Sequence, residues 1–202
     1  MTLPRSALVV VDVQRDFCPG GALAAEGGER ILPALSRHVE RARAAGMPIY
    51  ATRDWHPEIT SHFTAFGGEW PPHCVQGTAG AEFHPGLKLP AGTIVVSKGM
   101  DPDHPGYSAF DGRTPDGAAF VDDLRAHGIA RLLVTGIATD YCVKQTVLDA
   151  RREGFEVAVL LDAITGIDAR AGDVERALAE MSAAGASLVE NGAPPDAPSI
   201  ER

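Results

Sequence analysis

Residues 131–161, RLLVTGIATDYCVKQTVLDARREGFEVAVLL, decide the fold class. They open on an apolar run over 131–135, continue through a helical pattern over 139–153 that Gly154 stops, and return to an apolar run over 156–161. Strands joined through a helix cannot make a tight hairpin, so the connection fits a crossover between parallel strands. The alternation extends outward on both sides. ALVVVD at 7–12 is a continuous apolar run, as expected of a strand covered on both faces. PIYAT at 48–52, TIVVS at 93–97 and ASLV at 186–189 read as further strands. Helical patterns at 28–45, 117–127 and 171–184 lie between them; in the first, Ile31, Leu32, Leu35, Val39 and Ala42 recur at helical spacing before Gly46 supplies a stop. The pattern predicts a parallel sheet with helices on both faces. Neither a repeat nor a linker is visible, so residues 1–190 read as one domain and the Pro-rich stretch 191–202 as a flexible tail.

The composition excludes several functions. A formal net charge of −9 argues against a nucleic-acid or anionic-membrane surface, since both need clustered Lys and Arg. No apolar run approaches the length of a membrane span. The short run near the N-terminus is broken by Asp12 and does not resemble a secretory signal, which points to a cytoplasmic protein. The three cysteines, Cys18, Cys74 and Cys142, are odd in number, far apart and without a CxxC pair, which fits free thiols in a reducing compartment.

Ligands of open parallel sheets bind beyond the carboxyl ends of the strands. Asp12 ends the first predicted strand, Lys98 follows the third, and Cys142 opens the helix after the fourth. A carboxylate among apolar neighbours needs a partner, and Lys98 can be a structural one. Alternatively, burial makes the carboxylate a proton acceptor. A thiol in the first turn of a helix feels the positive end of the macrodipole, which favours thiolate, and the free N–H groups of that turn suit an oxyanion. Against this stands the plain alternative of a buried core thiol. Cys18 precedes a proline and a glycine pair with no helix start near it, and Cys74 is adjacent to His73, so both rank below Cys142.

The segments 53–92 and 99–116 lack periodicity, and long irregular loops in a compact domain are usually functional. RDWHPEITSHF places Asp54, His56 and His62 close together, and WPPHC adds His73. If the second strand ran through residue 56, Asp54 and His56 would share a face. Such a donor set suits a borderline divalent ion such as Zn²⁺, Fe²⁺ or Mn²⁺. Trp55, Phe63, Phe66 and Trp70 interleave with these residues, either pinning the loop to the core or walling a pocket for a flat ligand.

With these residues assembled, the sequence resembles the nicotinamidase/pyrazinamidase group of the isochorismatase-like cysteine hydrolases. The matching stretches are VVVDVQRDFCPGGAL, DWHPEITSHF, WPPHCVQGTAGAEFHP, SKGMD and GIATDYCVKQTVLDA, in the same order over nearly the whole chain. The resemblance implies a three-layer α/β/α fold around a parallel six-stranded sheet and hydrolysis of nicotinamide through a thioester. It implies Asp12, Lys98 and Cys142 as a catalytic triad, the amides of Ala138 and Cys142 as an oxyanion hole, and a non-proline cis peptide at Ile137–Ala138. It further implies one divalent metal on Asp54, His56 and His73, with His62 a fourth ligand in some members. Phe17, Leu23, Trp70, Tyr107 and Ile137 match positions around the ring pocket. Asp140 matches no catalytic acid and reads as helix-start chemistry. The competing readings are the same chemistry on another small amide or N-carbamoyl compound, and a metal-binding redox sensor without catalysis. The Asp-x-His pair counts against the carbamoyl relatives, which lack it, and Cys142 counts against isochorismatase itself, which uses no cysteine nucleophile.

Overall fold

The structure is a computed structural model and describes residues 5–190. The expected tail at 191–202 lies outside these residues. Six strands form one parallel sheet: β1 (Ser6–Val11), β2 (Ile49–Asp54), β3 (Ile94–Lys98), β4 (Arg131–Ile137), β5 (Glu156–Thr165) and β6 (Ser187–Val189). The helices are α1 (Leu32–Ala44), α2 (Phe120–Ala126), α3 (Lys144–Arg152) and α4 (Asp173–Ala183).

The apolar run of β1 is covered twice, as its composition predicts. Leu8 and Val10 pack on one side with Leu35, Val39 and Ala42 of α1, while Ala7, Val9 and Val11 pack on the other with Leu124, Val147 and Met181 of α2, α3 and α4. Period-two alternation of side chains thus divides one strand between two cores. In α1 the buried residues Leu35, His38, Val39 and Ala42 recur three and four apart, and Pro33 sits in the first turn, where its missing N–H costs no bond. The result is the three-layer α/β/α fold that the resemblance implies.

The sheet order is β3-β2-β1-β4-β5-β6. The chain starts in the middle, builds outward to β3, crosses back, and builds outward again from β4. The order therefore reverses between β1 and β4, and connections leaving those two strands diverge and open a crevice at their carboxyl ends. Gly136 lies in this seam with φ +112°, opposite Val11, and a Cβ there would overlap Val11 O. Only glycine lets the two strands meet at this point.

Four strands run past their apolar sequence signal. β3 does so by one residue, to Lys98, and β4 by two, to Ile137. β2 continues to Asp54, and β5 continues through Thr165 with a register irregularity opposite Val134–Gly136. The segments expected to be irregular are so: between β2 and β3 there are only single turns of 3₁₀ helix and isolated bridges, such as His56 with Val75 and Phe63 with Trp70.

Candidate active site

Asp12 directly follows β1, Lys98 ends β3, and Cys142 lies in the turn after β4. All three are buried, with Asp12 and Lys98 at 0% exposure. Register puts Asp54 of β2 opposite Lys98, whose side chain reaches across β2 toward β1. The ammonium is 2.8 Å from Asp12 Oδ2 and 2.5 Å from Asp54 Oδ1. It donates to Asp54 Oδ1, to Gly106 O at 3.2 Å and to Cys142 Sγ at 3.4 Å. The 2.8 Å contact of the ammonium with Asp12 Oδ2 is an ion pair that favours the carboxylate. One oxygen of the Asp12 carboxylate lies within 4.8 Å of the Cys142 sulfur. Oδ1 accepts the Thr52 hydroxyl at 2.6 Å, which fixes the carboxylate's orientation.

The two carboxylates beside Lys98 are driven apart. Burial raises the Asp12 carboxyl to about 6, against the lowering effect of Lys98 and with a further push from Asp54. Burial also acts to raise Asp54, but there Lys98 and the neighbouring histidines win and hold it well below the usual carboxylate range. For Lys98, burial favours the neutral amine; the charges of Asp12 and Asp54 outweigh it and keep the ammonium.

Cys142 differs from the sequence expectation in one respect. Thr139–Val143 form a π-helical turn, and α3 begins only at Lys144. Such turns are frequent at functional sites. The helix-dipole argument for a resting thiolate does not carry: burial pushes the thiol well above its ordinary value, and Lys98 offsets this only in part. The resting group is a thiol, which needs a base. The peptide bond Ile137–Ala138, at the entrance to this turn, is cis.

His56, His62 and His73 converge with ring nitrogens within 4.8 Å of one another, all buried. The strand argument for Asp54 and His56 fails in its premise, because β2 stops at Asp54 and His56 instead bridges to Val75. Their side chains still meet, with His56 Nε2 3.6 Å from Asp54 Oδ2. The donor chemistry fits a cation. His56 Nδ1 donates to Gly99 O at 3.0 Å and His73 Nδ1 to Pro71 O at 2.8 Å, so each ring presents a lone pair at Nε2. His56 Nε2 is buried without a hydrogen-bond partner. Burial, reinforced by His56 and His73, lowers His62 to about 4, and burial lowers His73 as well, keeping both rings neutral as metal ligation requires. Three imidazoles and a carboxylate oxygen suit a divalent ion, and His62 stands among them as fully as the others.

A tight cleft opens between the thiol and the imidazoles. Phe17, Leu23, Trp70 and Tyr107 line it, together with Ala138 and Cys142. The Trp70 indole N–H donates to the Tyr107 hydroxyl at 2.8 Å and ties the two long loops together across the cavity. Ile137 is a correction. Its side chain is fully buried in the α1-side core, because it is still a strand residue of β4, and it does not form the wall. Two wall residues escaped the sequence reading, Tyr141 and Ile167. Tyr141 was within reach as the neighbour of the nucleophile; Ile167 follows the unpredicted extension of β5. Asp140 is also corrected: it accepts the N–H groups of Ile167 and Asp168 at 3.0 and 2.8 Å rather than capping its own turn. Cys18 and Cys74 are buried, and burial raises both thiols, Cys18 to about 11.

Comparison with known proteins agrees with this geometry. The isochorismatase domain matches residues 6–191. A nicotinamidase of Escherichia coli K12 is 40% identical, with 92% of this chain and 95% of that protein covered. A nicotinamidase/pyrazinamidase of Mycobacterium tuberculosis is 41% identical over 91% of this chain and 97% of its own length. Among solved structures, a pyrazinamidase of Pyrococcus horikoshii in complex with zinc superposes with a TM-score of 0.85 at 45% identity, covering 93% of this chain and 99% of that one. A sheet that reverses between β1 and β4, a thiol turn entered through a cis bond, and matches that span the described chain lead to one conclusion: the protein belongs to the isochorismatase domain family.

Proposed function

We propose that this protein hydrolyses nicotinamide to nicotinate and ammonia, and also accepts pyrazinamide, through a thioester on Cys142. The observation that carries this reading is the meeting of a buried carboxylate and ammonium with the Cys142 thiol, which lines an aromatic-walled cavity beside three imidazoles. The names of the relatives at 40 and 41% identity support it.

The flat ring lies among Phe17, Trp70 and Tyr107, with the carboxamide toward Cys142. A divalent ion on Asp54, His56, His62 and His73, when bound, supplies a fixed positive charge that anchors the polar edge of the ring. Asp12 is ionised at neutral pH, since its carboxyl titrates at about 6, and its carboxylate takes the Sγ proton. The sulfur adds to the amide carbon as the carbonyl π pair moves to oxygen. The N–H groups of Ala138 and Cys142 receive that oxyanion, and one such donor is worth about 3 kcal/mol. Asp12 returns its proton to the departing nitrogen, the C–N bond breaks, and ammonia leaves behind a thioester. Water then attacks the thioester carbon while Asp12 takes one of its protons. Cys142 leaves as sulfur, recovers that proton from Asp12, and nicotinate is released. Lys98 stays charged throughout and keeps Asp12 ionised against its burial. We place this reaction in the cytoplasm and in reuse of the pyridine ring for dinucleotide synthesis, in keeping with three unpaired cysteines.

The test is ammonia release from nicotinamide by the purified protein. Release that disappears in Cys142→Ala supports the reading. No release, or an N-carbamoyl compound hydrolysed faster than nicotinamide, replaces it.

A further inference from the structure

Asp140 stands two residues before Cys142 in the same π-helical turn, and its carboxylate is buried. Both of its oxygens point away from that turn. Oδ1 accepts the Ile167 N–H at 3.0 Å and Oδ2 the Asp168 N–H at 2.8 Å. These amides belong to the loop leaving β5, whose last residue Thr165 pairs with Ile137 of β4. The loop is shaped to meet the carboxylate. Gly166 passes so close that a Cβ would lie 2.8 Å from Asp140 Oδ1. Asp168 adopts φ +51°, and its own carboxylate accepts the Val174 N–H at 3.3 Å, at the start of α4. The outcome is that Ile167, partly buried, presents an apolar side chain to the cavity.

We infer that Ile167 is a specificity-determining residue of the cavity, and that Asp140 is the positioning residue that holds it at a set distance from the nucleophile's turn. The inference rests on the amidase reading above. Ile167 offers the substrate no polar atom, so it discriminates by shape alone. A methylene-sized difference in such a wall shifts relative rates by roughly 10- to 200-fold. A wall on a free loop would yield to a larger ring. Here two hydrogen bonds from backbone amides to a carboxylate, a strong class of bond, pin it. Because the carboxylate sits on the Cys142 turn, the wall and the nucleophile keep one spacing.

The experiment compares kcat/KM for nicotinamide with that for analogues carrying one methyl group on each free ring carbon in turn. In Ile167→Ala, at least one analogue gains about tenfold relative to nicotinamide. In Ile167→Phe that analogue loses ground and the KM for nicotinamide rises. Asp140→Asn, which keeps the shape but turns an acceptor into a donor facing an N–H, moves the same ratio in the direction of Ile167→Ala. Combined with Ile167→Ala it adds little more, as expected of residues acting through one element. A merely structural Asp140 would depress all substrates alike and leave the ratio still. If no analogue gains in Ile167→Ala and none loses in Ile167→Phe, the inference is overturned. A ratio that responds at Ile167 but not at Asp140 overturns the positioning half. Wild-type protein that releases no ammonia from nicotinamide overturns the amidase reading together with this inference, whereas active protein with unmoved ratios overturns the inference alone.

Discussion

Asp12, Lys98 and Cys142 stand at strand ends or in the turn that follows one, whereas His56, His62 and His73 ride on a loop whose only ladder contacts are isolated bridges. The first group is positioned by sheet register: Val11 pairs with Gly136 and Asp54 with Lys98. The second depends on a few individual bonds. His56 and His73 are oriented by the carbonyls of Gly99 and Pro71, and the Cys74 N–H next to His73 is held by Asp16 Oδ2 at 2.8 Å. Thr60 and Ser61 both donate to Pro102 O, joining the two long loops. Asp54 belongs to both groups. Gln14, fully buried, grips its backbone from both sides, accepting from Asp54 N at 2.8 Å and donating to Asp54 O at 2.8 Å and Ala81 O at 2.9 Å. The contrast separates two kinds of damage. Changes at Asp12 and Cys142 should remove chemistry and leave metal affinity in place, and changes at the loop histidines should first remove metal affinity.

The sharpest break is Asp12→Asn. It keeps the shape and the bond to Thr52 but removes the proton acceptor, so kcat falls about 10³- to 10⁴-fold. Zinc binding, read by titration calorimetry, stays within a few-fold of wild type. A zinc affinity that collapses along with kcat would erase the distinction between the two groups. His56→Ala does the opposite. At a zinc concentration about 100 times its dissociation constant, ligand binding stabilises the wild-type fold by about 2.7 kcal/mol and raises Tm. The same zinc concentration leaves the Tm of His56→Ala unmoved. Gln14→Glu sets an acceptor oxygen against the carbonyls of Asp54 and Ala81, and loss of an outer support of this kind weakens metal affinity by roughly 10- to 100-fold. With zinc saturating, its kcat recovers toward wild type; a kcat that stays low would show that Gln14 serves the strand-end group instead. The mildest test is the wild-type pH profile. In the proposed reaction Asp12 works as the carboxylate, and burial lifts its titration to about 6. Below that pH the base is protonated, so kcat/KM falls about tenfold per pH unit, and above it reaches a plateau. An acid limb near the ordinary aspartate value would mean that Lys98 cancels burial completely.

What the sequence made legible follows the same divide. Asp12, Lys98 and Cys142 could be placed together before any coordinates, because apolar runs mark strands and parallel strands share one functional edge. The histidine cluster was legible by residue type, but the strand argument behind it was not, since Trp55 and His56 leave the sheet. Ile167 was hidden because β5 outlasts its apolar run: Asp162 and Thr165 interrupt the pattern, yet the strand continues through both. Asp140 misled for a related reason. A carboxylate at a predicted helix start suggests a cap, and only the three-dimensional path of the β5 loop brings better donors to it. Periodicity reports which face is buried; it says nothing about which distant backbone arrives there.

The pairing of Val11 with Gly136 bears on how the protein comes into being. Asp12 and Cys142 are separated by 130 positions of chain and are brought together by the pairing of β1 with β4 and by Lys98, whose ammonium touches both. A chain that stops after β3 holds Asp12 and Lys98 but lacks Cys142. Cys142 stays an ordinary cysteine until β4 docks against the first strand. An amino-terminal fragment that ends before Cys142 therefore cannot hold the three groups together, and their meeting marks the closing of the longest-range contact in the sheet.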